Sequence, residues 1–152
     1  MRAKKAQEQH RQSRKIQKGP TATVAKPIRR LLLERAAENL RAAQLMIKND
    51  YFRVAICSSY YAMLYSATAL LREEGYRVIR RSMIQEARVS KLIKAGKLSK
   101  RFARYFFSGQ DKRKRADEDL ECFTKRQAES LLRQAAEMKR AIPMDPLISR
   151  KD

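Results

Sequence analysis

The stretch CSSYYAMLYSATALLREEGY, residues 57–76, decides the fold. Ser59, Ala62, Ser66 and Ala69 recur at alternating spacings of three and four, so they share one face of a helix and let another backbone come close. Apolar residues occupy nearly all the remaining faces. Such a helix has to be the central helix of a bundle, with its small-residue stripe against one neighbour. Tyr60, Tyr61 and Tyr65 combine apolar bodies with polar tips, which suits a bundle edge or a subunit interface. Core packing accounts for most of the stretch.

Reading outward, this helix starts near Tyr51 and stops near Gly75, where glycine can supply a left-handed C-terminal residue. Before it, a helix is expected from about Pro27, with Ile28, Leu32, Ala36, Leu40, Ala43 and Ile47 at helical spacing. KND at 48–50 ends that helix. The short link makes the two an antiparallel hairpin. YRVIRR at 76–81 reads as a loop. Ser82 with Gln85 forms a capping-box start for a short third helix. AGKLS at 95–99 interrupts, and a fourth helical region covers about 99–122, with SGQ at 108–110 as a break. Thr124 with Gln127 opens the last helix, whose apolar stripe is Leu131, Leu132, Ala135 and Met138. It runs to about Ile142, and Pro143 and Pro146 end it. The expectation is an all-α, up-and-down antiparallel bundle of four to five helices over residues 27–143, with a short tail at 144–152.

The totals agree. A chain of 152 residues suits one core, and four Gly and four Pro argue against a turn-rich β fold. Lys and Arg number 36 against 16 Asp and Glu, a net charge of +20 that favours a polyanionic partner. No apolar run approaches about 18 residues, so no membrane span is expected. Cys57 and Cys122 fall in expected helices and form no disulfide framework, which points to a reduced, cytoplasmic setting.

Residues 1–26 carry eight Lys or Arg against Glu8 alone. Almost without large apolar residues, they read as a basic arm. Its Lys4, Lys5, Arg11, Arg14, Lys15 and Lys18 are candidate phosphate contacts. A second basic run, residues 91–115, has ten Lys or Arg against one Asp, with Phe102, Tyr105, Phe106 and Phe107 interleaved. Lys100, Arg101, Arg104, Lys112, Arg113, Lys114 and Arg115 can neutralise phosphates, and the rings can either stack on unpaired bases or anchor the core. Asp117, Glu118, Asp119 and Glu121 follow. They do not share one helical face, and KRKR lies beside them, so ion pairing is expected in place of a metal site. No cofactor motif is present.

AAENLRAAQLMIKNDYFRVAICSSYYAMLYSATALLREEG resembles the first hairpin of the HEPN domain family, whose second helix carries a tyrosine pair followed by A-M-F and then A-L-L-x-x-x-G. Here those elements are NDY, AICSSYYAML and ALLREEG. KAGKLSKRFARYFFSGQDKRKRADEDL is similar to the family's G-x-L and R-x-x-A-D-Y segments. The resemblance covers about residues 34–142. It implies a helical bundle that commonly dimerises, a prokaryotic setting, and frequent pairing with a minimal nucleotidyltransferase in toxin–antitoxin modules. Many members are ribonucleases using Arg, four to six residues, then His. The chain departs from that motif, because its one histidine is His10. Tyr60, Tyr61, Arg113 and Asp117 match family positions, with Glu118 where tyrosine usually follows. The resulting reading is a non-catalytic RNA-binding protein, with structured or ribosomal RNA as ligand. The alternatives are the HEPN half of a toxin–antitoxin pair and a degenerate ribonuclease.

Overall fold

A computed structural model describes residues 22–75 and 83–144. Five helices follow in order: α1 (Ala22–Lys48), α2 (Phe52–Glu73), α3 (Met83–Lys94), α4 (Lys100–Glu118) and α5 (Lys125–Arg140). They form an all-α up-and-down bundle with no strand among the described residues. α2 packs against each of the other four helices, as its apolar circumference requires.

The four small residues of the α2 stripe, Ser59, Ala62, Ser66 and Ala69, are all fully buried. The Ser66 hydroxyl donates to the Ala62 carbonyl at 2.8 Å, and Thr68 donates to Leu64 at 2.6 Å, so these buried hydroxyls are satisfied within the helix. Ser59 Oγ is buried with no hydrogen-bond partner among the described residues. By length and composition α2 could cross a membrane, which corrects the expectation that no apolar run was long enough. However, 67% of its most apolar window is buried, because neighbouring helices occupy those faces.

The α1–α2 link is as short as expected. Asp50 takes φ 63°, a region aspartate tolerates, and Gly75 takes φ 87° past the end of α2. α1 begins at Ala22, five residues ahead of Pro27, so part of the expected arm is helical. Pro27 is the sixth residue of α1, past the first four N–H groups that have no partner within a helix, so it removes the intrahelical bond to the Thr23 carbonyl. Buried Arg29 ties three elements together. It donates to the carbonyls of Met144 at 2.7 Å and Pro143 at 2.8 Å and pairs with Glu73 at 3.5 Å. Residues 1–21, the 76–82 loop with Ser82, and the tail from residue 145 lie outside the described residues.

Two expectations about α4 are corrected. The helix runs unbroken through Ser108–Gly109–Gln110. A Cβ at Gly109 would sit 3.2 Å from Met63 Sδ, 3.4 Å from Leu131 Cδ1 and 3.6 Å from Tyr60 Cδ2. The glycine is there for close approach to α2 and α5, and not for a turn. α4 also stops at Glu118, because Leu120 adopts φ 53°. Cys122 therefore lies in the following loop and is exposed. Ser99 caps α4 by accepting from Phe102 N, and Thr124 with Gln127 makes the full capping box of α5.

Enlarging these contacts must overpack the core. Ala62→Leu and Gly109→Val are each expected to cost about 1–3 kcal/mol in denaturant melts. Ser59→Ala removes an unpaired buried hydroxyl, so it is expected to leave stability unchanged or raise it by about 1 kcal/mol.

Candidate nucleic-acid interface

Helical periodicity on α4 places Lys100, Arg104, Phe107, Asp111 and Lys114 on one face, and all five are exposed. Ala103, Phe106, Gly109 and Ala116 are buried. The same rotation sorts the aromatics. Phe106 is fully buried, with its ring centroid 5.8 Å from that of Tyr60. Phe102 and Tyr105 are half-buried against the core. The Tyr105 hydroxyl accepts from Arg101 Nε at 3.0 Å and donates to Glu137 at 3.4 Å. Phe107 is different: it is 40% exposed, in the middle of the basic face.

The seven cations expected on this segment divide into two groups. Arg101 pairs with Glu137, Arg113 with Asp117 at 3.3 Å, and Arg115 with both Asp111 and Glu121 at 3.2 Å. Lys100, Arg104, Lys112 and Lys114 make no ion pair among the described residues. Asp117 and Glu121 are engaged in pairing as expected, whereas Glu118 and Asp119, expected to pair as well, are in no ion pair among the described residues. Lys4, Lys5, Arg11, Arg14, Lys15 and Lys18 lie outside the described residues.

Three of the four family-motif residues are brought together. The Arg113 guanidinium lies 5.4 Å from the Tyr60 ring centroid and reaches Asp117. Tyr61 sits beside Tyr60, with centroids 5.6 Å apart. Two residues that sequence reasoning missed complete the cluster. Arg53 faces Asp117 at 3.6 Å, and the Cys57 thiol donates to the same carboxylate at 3.5 Å. The spacing of Arg53, Cys57 and Tyr60 on one face of α2, matched by Arg113 and Asp117 one turn apart on α4, was the available signal. Burial, then the charge and hydrogen bond of Asp117, push the Cys57 thiol up to about 11, against the smaller opposing pull of Arg53 and Arg113. The thiol is therefore protonated at neutral pH and is a poor nucleophile.

The HEPN domain model matches residues 30–143, so the chain belongs to the HEPN domain family. It is similar to a UPF0332 protein of Thermotoga maritima, with 31% identity over 83 residues, 55% of this chain and 63% of that protein. It thus spans less than two thirds of that relative. It is also similar to a Methanocaldococcus jannaschii protein named "Putative toxin", with 28% identity over 104 residues, 68% of this chain and 78% of that protein.

Alkylation by iodoacetamide, followed site by site by mass spectrometry, tests the thiol. Exposed Cys122 is expected to react readily, while Cys57 reacts appreciably only as pH approaches 11. Asp117→Asn removes two of the causes that raise the thiol, so the Cys57 profile should move to lower pH.

Proposed function

We propose that this HEPN chain binds RNA through the solvent face of α4 without cleaving it. The observation that carries the reading is exposed Phe107, set between Arg104 and Lys114 with Lys100 one turn further on, the three cations bearing no intramolecular ion pair among the described residues. Unpaired cations can neutralise phosphates and release counterions. An exposed ring among them can stack on an unpaired base. The absence of cleavage follows from the Arg113 cluster. Metal-independent RNA cleavage needs a group that exchanges a proton near neutral pH. The chain's one histidine is His10, the Cys57 thiol is held protonated, and Arg113 is bound to Asp117.

A second reading is the HEPN component of a toxin–antitoxin module; the name of the Methanocaldococcus relative favours the toxin part of it, and the nucleotidyltransferase partner is what the family resemblance implies.

Binding titrations at several salt concentrations test the first reading. Replacing Lys100, Arg104 and Lys114 with Gln should flatten the salt dependence of affinity by a slope of about 2, at roughly 0.7 per single-strand phosphate contact. Phe107→Ala should cost about 1–3 kcal/mol of affinity with little salt dependence. Single-stranded RNA should survive incubation with the protein in EDTA. If RNA binds no better than an anionic control polymer while a nucleotidyltransferase binds tightly, the toxin–antitoxin reading replaces this one.

A further inference from the structure

The end of the bundle where α1 turns into α2 carries a second surface, unlike the basic face of α4. An open dent of about 440 Å³ is lined there by Tyr51, Phe52, Val54, Leu120 and Phe123, among others. Tyr51 is 59% exposed, Val54 37% and Leu120 81%. Leu120 is doubly unfavourable in the isolated chain, since it holds a left-handed backbone at φ 53° and turns an apolar side chain to water. The charges around the dent are acidic on balance. Arg53 is paired with Asp117 and Glu121 with Arg115. Asp50, which lines the dent, and Glu118 and Asp119, which directly precede Leu120, are in no ion pair among the described residues. An acid-rimmed apolar dent on a chain of net charge +20 calls for an apolar side chain flanked by cations.

The chain contains such a segment. RKIQK, residues 14–18, sets Ile16 between Arg14, Lys15 and Lys18, and Ile16 is the one large apolar residue from 2 to 21. Its own dent is out of range. α1 spans 27 residues, about 40 Å at 1.5 Å per residue. The six residues from Ile16 to the start of α1 reach at most about 21 Å when fully extended.

We infer that this dent is a docking site for residues 14–18 of a second copy of the chain, with Ile16 against Leu120, Tyr51 and Val54, and the flanking cations against Asp50, Glu118 and Asp119. The inference goes beyond the RNA reading and does not require it. It does create a competition, because Arg14, Lys15 and Lys18 cannot serve both the dent and a phosphate backbone.

The test uses nucleic-acid-free protein and no RNA. In sedimentation velocity at low salt, the full chain should associate to a larger species with rising concentration than a chain lacking residues 1–21. A labelled peptide of residues 10–20 should bind that shortened chain, and an Ile16→Ser peptide should bind about tenfold more weakly, the loss expected for removing one buried aliphatic side chain. Leu120→Gly relieves the left-handed backbone and deletes the apolar contact. It should raise the melting temperature yet weaken peptide binding about tenfold, which separates a docking role from a folding role. Asp50→Lys should weaken binding further, and a Lys15→Glu peptide should restore part of it. A full chain that associates no further than the chain lacking residues 1–21, or equal peptide affinity for wild type and Leu120→Gly, would overturn the inference.

Discussion

The approach of α4 to α2 at Gly109 sets the geometry on which the rest of the molecule depends. α2 has almost no side left for water, so its neighbours must come close enough to cover it. A side chain at position 109 would stand against Met63, Leu131 and Tyr60, three residues from two helices. Its absence fixes both the depth and the rotation of α4. Phe106 then points into the core beside Tyr60, and the next residue, Phe107, is carried 100° round toward solvent. The composition of the basic face is thus a consequence of a packing contact on the other side of the helix.

The charge of the chain is less uniform than its total suggests. Arg101, Arg113 and Arg115 are drawn into pairs with carboxylates of α4, α5 and the loop between them. Pairs this exposed contribute little to stability, with a typical magnitude of about 0–1 kcal/mol, but they remove those cations from the set immediately available to a polyanion. Lys100, Arg104 and Lys114 stay available on the solvent face, and Lys112 at its margin. Four of the sixteen acidic residues, Asp117, Glu118, Asp119 and Glu121, follow one another closely where α4 ends, and Glu118 and Asp119 are in no ion pair among the described residues. Opposite fields on separate surfaces of one chain promote ordered contacts between copies as well as nucleic-acid binding.

Much of the fold was legible because its signals are local. Thr124 and Gln127 form the capping box that their spacing specifies, and the small-residue stripe of α2 is buried as its period requires. What was misread depends on tertiary contact. SGQ carries ordinary turn chemistry, and only the closeness of Met63 and Leu131 makes Gly109 a packing residue. The end of α4 was placed four residues late, since a leucine at φ 53° leaves no mark in a sequence. The site divides in the same way. Its cations could be named from composition, but their partners could not, because Glu137 lies 36 residues from Arg101 and Arg53 and Cys57 belong to another helix. Phe107 could not be told from Phe106 until the rotation of α4 was fixed.

That rotation also separates two features that sequence proximity would merge. Arg113 lies nine residues beyond Arg104, which at 100° per residue is half a turn. Arg113 faces Tyr60 and Asp117 on the α2 side of the helix, and Arg104 faces solvent. A ligand lying along the solvent face therefore does not engage the family-motif residues from that position. Asp117 instead joins the last turn of α4 to the first turns of α2 through Arg53, Cys57 and Arg113. Removing its carboxylate would leave two guanidinium groups facing one another beside a buried ring. The motif residues have a structural account of their own: they hold the end of α4 where Leu120 begins the loop to α5, and the face proposed to contact RNA lies one half-turn away.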